Sequence, residues 1–340
     1  MNTYCHGEDS QCVGKETSDR FSSFISGDLF VVGEGRRHFV IGCNGGVLRV
    51  QKDVNRNSEA HAIASMDFHS NFVSRYFAGF VCSQQVVTCD PGLLQKIMGV
   101  TQTNIPSPFW CISSWNLIDE YTVELKPKCV LVEHAAYPPR FVLEQHARKV
   151  IRVYDPRPIW ETRDFTQFSQ SLKAARDHAK HYMKVHQWSL EAPWTPEEVI
   201  FAALSSVQGK DLLHRLQRLQ MYGVDRFAKK MIGLLNEAGS DESAHVSPVL
   251  GSDVDGFYDS TESSNKKIDT FLAGRMAMDV SLMFNLHSPK EGNKYPDLTP
   301  ISLSNGWKCT IGVVDTDLKH RWKIPDYAKQ LDCAISAFRQ

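Results

Sequence analysis

Residues 121–131 read YTVELKPKCVL. Tyr121 to Leu125 has the β-branched and aromatic content of a strand. Pro127 lacks a backbone N–H and ends it. Lys126 and Lys128 flank the proline, so the strand closes on two ammonium groups. Glu124 stands two positions before Lys126, and strand alternation puts both side chains on one face. Either this is a solvated edge with two surface lysines, or the segment passes an anionic ligand.

On its N-terminal side the chain is rich in strand signals. Residues 28–52, DLFVVGEGRRHFVIGCNGGVLRVQK, read as strand, turn, strand, turn, strand. The turns are marked by Gly33-Glu34-Gly35 and Asn44-Gly45-Gly46. Residues 58–79 carry apolar residues at helical spacing, with Ile63, Met66, Phe72 and Phe77 on the expected buried face. VCSQQVVTC reads as a strand. DPGLLQKIM starts a helix, with Asp90 as cap and Pro91 at its first position. FWCISS is a further strand.

On the C-terminal side the character changes. Residues 160–236 read as mainly helical, and Thr195-Pro196-Glu197-Glu198 carries the cap, proline and acids of a helix start. Residues 237–265 are acidic and Ser/Gly-rich, and read as a surface loop or disordered insert. A helix KKIDTFLAGRMAM follows, then strands DVSLMFNL and WKCTIGVVD, then a closing helix PDYAKQLDCAISAFR. The layout is that of a two-lobed α+β enzyme with its site in the cleft. Its parts are a polar tail at 1–20, a β-rich N-terminal lobe at 21–113, and an α-rich C-terminal lobe with late strands at 114–340.

The bulk composition excludes some classes. With 340 residues, 42% hydrophobic and 23% charged, the chain is an ordinary globular protein with room for a sizeable core. A net charge of −1 argues against nucleic-acid or membrane-surface binding driven by the whole-molecule field. A strongly anionic ligand must therefore meet a local cluster of cations. The nine cysteines include no C-x-x-C, the start lacks an apolar leader, and no run reaches 18 apolar residues. Free thiols in the cytoplasm, the nucleus or both are the expectation.

Four further stretches carry chemistry, each beside a plainer reading. The Gly33–Arg37 turn is either an ordinary hairpin or a loop whose backbone N–H groups approach phosphates, with Arg49 on a following strand facing the same ligand. Arg49 lies between Leu48 and Val50, which face the core, and is preferred over Lys52. IGVVDTDLKHRWKIPDY is either a strand running into a solvated loop, or an Mg²⁺ site at Asp315 and Asp317 followed by phosphate-binding cations. Asp279, in AMDVSLMF, is either a turn residue or a general base accepting a hydroxyl proton. EQHARKVIRVYDPRPIW, with Arg148, reads first as a charged helix face.

The order of these pieces resembles the inositol-pentakisphosphate 2-kinase family. The matching stretches are GEG and LRVQK, ELKPKC, the basic Arg148, YDP, AMDVSLMF and VVDTDLKHRWKIPDY, spread over residues 30–335. The resemblance implies a kinase-like α+β fold of two lobes. It also implies ATP- and Mg²⁺-dependent phosphorylation of the axial 2-hydroxyl of inositol 1,3,4,5,6-pentakisphosphate, giving the hexakisphosphate (phytate). By the same resemblance, Gly33, Glu34, Gly35, Arg36, Arg37 and Arg49 would take ATP phosphates, and Glu124 and Lys126 would contact nucleotide. Lys126 and Asp279 would be catalytic. Lys128, Arg148, Lys319, Lys323 and Tyr327 would hold the inositol phosphate, and Asp315, supported by Asp317, would hold Mg²⁺.

The chain also departs from the family pattern. Arg36, Arg37 and His38 replace the usual small residues and Asn, and Arg148 stands where the family has a lysine. Residues 200–270 contain no cysteine, so no zinc is expected. An Asn pair that contacts substrate in the family has no counterpart near 175–190. A monomer binding inositol polyphosphate and ATP is the expectation. The alternative is a non-catalytic inositol-polyphosphate or nucleotide-binding module on the same fold. A protein kinase is disfavoured, because His-Arg-Asp and Asp-Phe-Gly are both absent.

Overall fold

The fold is that of a computed structural model. It describes residues 27–34, 38–43, 46–52, 59–89, 91–103, 109–125, 128–134, 137–144, 184–189, 191–224, 227–238 and 247–329. The tail at 1–20, Gly35, Arg36, Arg37, Asp90, Lys126, Arg148 and the end of the closing helix lie outside the described residues. The chain is mixed α and β with two five-stranded antiparallel sheets and a two-stranded hairpin. It forms two compact units, one from residues up to Met66 with Ser83–Asn116, the other from Asp67–Cys82 with Leu117 onward.

The first unit is built on β1 (Phe30–Glu34), β2 (His38–Cys43), β3 (Gly46–Gln51), β4 (Gln85–Cys89) and β5 (Phe109–Trp115), in the order β1-β2-β3-β5-β4. The three expected strands are present and pair antiparallel in sequence order. A bulge between Val31 and Gly33 bends β1 before its Gly-rich end. Leu48 and Val50 are buried while Arg49 between them is not, so β3 keeps its core face and turns Arg49 away from it. Helix α1 (Glu59–Phe68) and helix α3 (Pro91–Thr101) flank the strands in sequence. Leu93, Leu94 and Ile97 of α3 join Phe39, Ile41, Leu48, Val50, Val87 and Cys111 in one core. Ser113–Trp115 belong to β5, paired to both β3 and β4.

In the second unit, α1 continues as a π-helical turn, His69–Val73, and a short helix α2 (Ser74–Tyr76). Ile63, expected on the buried face, is 48% exposed; Phe77 is buried as expected, and Phe68, His69 and Val73 are buried with it. The wider π turn shifts the buried stripe around the axis. This segment docks on the second sheet through its backbone: Val313 N–H donates to Phe80 O (2.6 Å) and Thr299 N–H to Gly79 O (2.8 Å). Gly79 has φ of +81°, and a Cβ there would lie 2.4 Å from Thr299 Oγ1, so the contact needs glycine.

That sheet is ordered β11-β12-β10-β6-β9, from β6 (Tyr121–Leu125), β9 (Lys184–Trp188), β10 (Ser281–His287), β11 (Pro300–Ser302) and β12 (Lys308–Val314). Strands β7 (Lys128–His134) and β8 (Tyr137–Glu144) form the separate hairpin, which the sequence reading did not anticipate. Nor did it anticipate β9, inside a stretch read as mainly helical. Pairing with β6, Trp188 opposite Tyr121, overrides local propensity there.

The helices of the second unit are α4 (Pro196–Ser205), α5 (Val207–Tyr222), α6 (Ala228–Ala238), α7 (Val254–Asp259) and α8 (Ser264–Ala277). Thr195 caps α4 through a reciprocal box with Glu198, as the sequence signalled. The acidic stretch 237–265 is corrected in part. Within its described residues α7 is a helix, and Phe257 and Tyr258 are buried against Tyr222 and Phe227. Two aromatics supply enough apolar area to fold an otherwise polar segment. Every residue of β10 is buried, and α8 is buried on nearly all sides, so both lie at the centre of the unit. Helix α8 delivers the chain directly to Asp279 and β10.

Candidate active site

Three carboxylates meet at one end of the second sheet. Antiparallel pairing dictates it: the C-terminal ends of β6 and β12 flank the N-terminal end of β10. Ser281 pairs with Val314, and Met283 with Glu124. Glu124 is therefore the next-to-last residue of β6, Asp315 follows β12, and Asp279 stands two residues before β10. Sequence placed these residues up to 191 positions apart, between 124 and 315. The pairing register brings them together.

Ser281 sits between two of them. Its Oγ lies 2.7 Å from Glu124 Oε1 and 3.1 Å from Asp315 Oδ2. A hydroxyl has one proton, so it donates to one carboxylate at a time. The other face of Glu124 is held by His186 of β9, with Nε2 3.0 Å from Oε2. A line His186–Glu124–Ser281–Asp315 thus crosses from β9 to β12. Sequence reading missed His186 and Ser281. Ser281 stood in the quoted motif beside Asp279 and was passed over. His186 had no local signal, because only the β6–β9 pairing brings it to Glu124.

Asp315 has φ of 62°, in the left-handed region. Asp visits that region more readily than most residues, yet it costs free energy there. The turn ends β12 and starts the basic segment. Lys319 then reaches back to Asp279, Nζ to Oδ2 2.5 Å. Burial pulls the Lys319 pKa down, but Asp279, with Tyr327 and Asp317 beyond it, more than offsets this, and the net direction is upward. Lys319 therefore stays charged across the neutral range. Asp279 is half exposed at 53%, so a ligand hydroxyl can approach it.

The other expected residues are placed as follows. Lys323 holds its ammonium 5.4 Å from the Trp322 ring centroid. Tyr327 is buried, its ring under the Arg275 guanidinium at 4.1 Å and against Phe271. Its ring thus serves packing against α8. Lys128 opens β7. In the first unit, Glu34 at the end of β1 is ion-paired with Lys52, whose ammonium lies 4.3 Å from the Phe39 ring. A Cβ at Gly33 would meet nothing within 4 Å, so the backbone there is open to approach. Arg49 lies on the non-core face of β3.

Among the described residues, no three His, Cys, Asp or Glu side chains gather as a metal cage. Both oxygens of Glu124 are engaged, by Ser281 and His186, which leaves Asp315 as the carboxylate that suits Mg²⁺, an ion that takes one or two carboxylates and completes its shell with water and phosphate. Carboxylates converging beside a carboxylate-paired lysine are the equipment of phosphoryl transfer to a hydroxyl, and the chain is a phosphotransferase. It belongs to the inositol-pentakisphosphate 2-kinase family, whose sequence model matches residues 32–332, most of the chain. Its activity is phosphorylation of inositol pentakisphosphate at the 2-position, the step that forms phytate. No curated protein matches the chain.

Proposed function

We propose that the chain transfers the γ-phosphoryl of ATP, with Mg²⁺, to the axial 2-hydroxyl of inositol 1,3,4,5,6-pentakisphosphate, using the sheet end as its reaction centre. The observation that carries this reading is the convergence of Glu124, Ser281, Asp315 and the Asp279–Lys319 pair. Asp279 accepts the proton of the attacking hydroxyl, since it is the carboxylate with exposed surface. Lys319 holds it ionised and is itself placed to meet a substrate phosphate. Asp315, with Asp317 in support, would hold the metal, which would supply charge neutralisation for phosphoryl transfer. Ser281 and Glu124 fix the direction in which Asp315 points.

The two units are taken as the two lobes of the enzyme. Gly33–Arg37 and Arg49 in the first, and Lys126 beside Glu124 in the second, are assigned to ATP. Lys128, Arg148, Lys319, Lys323 and Tyr327 are assigned to the inositol phosphate. Glu124, engaged by Ser281 and His186, acts on nucleotide through Asp315 as well as directly. No zinc is assigned, and the enzyme is taken as a monomer of the cytoplasm or nucleus.

The test is product identity. Purified protein with ATP, Mg²⁺ and inositol pentakisphosphate is expected to yield the hexakisphosphate on anion-exchange separation. Asp279→Asn is expected to lower kcat by about 10²- to 10⁴-fold. Unchanged polyphosphate binding and no turnover by the wild-type protein would instead favour the non-catalytic module.

A further inference from the structure

Arg321 stands in the middle of the basic segment Lys319–Lys323, where a row of cations reads as a row of phosphate ligands. Its geometry says otherwise. The guanidinium turns inward to α8: Nη1 donates to Asn265 Oδ1 at 2.7 Å and Nη2 to Asp269 Oδ1 at 2.9 Å. Asn265 and Asp269 are four positions apart on one helix face, a spacing the planar fork spans. Asp269 is 3% exposed and Arg321 13%, so the pair is nearly dry. The second oxygen of Asp269 accepts from Ser247 N–H at 3.2 Å, and Thr270 beside it exchanges hydrogen bonds with Val249. Burial raises the Asp269 pKa, and Arg321 and the Ser247 N–H counter it.

The neighbours of Arg321 point the other way. His320 and Trp322 stack on each other, Trp322 is 41% exposed, and Lys323 lies over its ring. Around the short 3₁₀ turn Arg321–Lys323, Arg321 thus turns into the protein while Trp322 faces solvent with Lys323 over its ring. Lys319 and Tyr327 are tied to the same helix or the turn after it, through Asp279, Phe271 and Arg275.

We infer that Arg321 and Asp269 form a buried clamp that presets the basic segment for the inositol polyphosphate. Arg321 is a positioning residue; it holds Lys319 and Lys323 in place and does not touch the polyanion. This rests on the assignment of Lys319 and Lys323 to inositol phosphate above. A segment already ordered binds without the entropy loss of ordering long cationic side chains on a flexible loop. The clamp is anchored on the helix that leads directly into Asp279, so it also fixes the polyanion relative to the base.

The two roles for Arg321 give opposite results for a change at its partner. Calorimetric titration with inositol pentakisphosphate, without ATP, reads them. If Arg321 is a clamp, Asp269→Asn weakens binding by about tenfold or more, and leaves affinity for an ATP analogue unchanged within about twofold. Arg321→Lys, which keeps the charge but not the fork, fails to bind normally. If Arg321 is a phosphate ligand, Asp269→Asn releases it and leaves binding equal or tighter; that result overturns the inference. Asn265→Ala removes one arm at a partly exposed position and is expected to act in the same direction, so a folding failure of Asp269→Asn does not decide the matter. Absence of inositol pentakisphosphate binding by the wild-type protein sinks the substrate assignment, and the clamp's role with it. Normal wild-type binding with unaffected variants sinks the clamp alone.

Discussion

Asp315 adopts a backbone conformation that glycine prefers, and its side chain is the one proposed to hold the metal. Left-handed geometry at a non-glycine residue costs of order 1–3 kcal/mol, somewhat less for Asp. Asp315→Gly is therefore expected to raise or preserve the unfolding temperature while removing activity. Loss of both stability and activity would show that the carboxylate also holds the fold. Ser281→Ala removes the only proton between Glu124 and Asp315 that this hydroxyl supplies. Lost partners one step from a metal-binding carboxylate typically cost about 10- to 100-fold in metal affinity or activity. Titration with Mn²⁺ in the absence of substrate is expected to show the weakened site directly, independent of turnover. Glu124, Asp279, Asp315 and Lys319 were all legible as chemistry-bearing residues, because carboxylates and lysines at strand ends stand out against apolar runs. Ser281 and His186 were not, because a serine and a histidine acquire meaning only from what they touch.

Two elements carry the site, and each has a local weakness that can be measured. Helix α8 crosses the end of α5 at a point without side chains: a Cβ on Gly274 would lie 2.2 Å from Gly223 N. Gly274→Ala is expected to cost about 1–3 kcal/mol from overpacking, with a fall in kcat because the helix leads into Asp279 and anchors Arg321. The π-helical turn buries His69, whose pKa falls to about 4 because burial disfavours the charged ring. An unfolded His titrates near 6.5, so between that value and about 4 the unfolded chain binds the extra proton. Stability is thus complete above pH 6.5 and falls by about 1.4 kcal/mol per pH unit below it. Denaturant melts at pH 7 and 4.5 check this; His69→Phe is expected to flatten the difference. Helix α8 was read as a short helix and has 14 residues. Elements with clear punctuation were readable in advance: α4 from its capping box, β10 and β12 from their apolar runs. The π turn, β9 and α7 were not. Each depends on a distant partner, β6 for the strand and Tyr222 and Phe227 for the helix.

At the scale of the molecule the charge is close to balanced, −1 over 340 residues. No overall field draws a polyanion in, so the proposed site relies on the local cations around Lys319. Affinity for inositol pentakisphosphate is expected to fall several-fold as salt rises from about 0.05 to 0.3 M, because screening acts on each cation–phosphate contact. ATP, with fewer phosphates, is expected to lose less; equal losses would count against a clustered site. Sequence alone determined the family, the α+β class, the strand-end positions of the carboxylates and the basic character of the segment after Asp315. These are local properties, written in residue type and spacing. Tertiary structure decided the rest. The register of β6, β10 and β12 joined Glu124 to Asp315 through Ser281, the β6–β9 pairing added His186, and docking on α8 turned Arg321 inward while its neighbours stayed outside. Such choices depend on which distant strand or helix offers a partner, and chain order does not encode that pairing in any local signal.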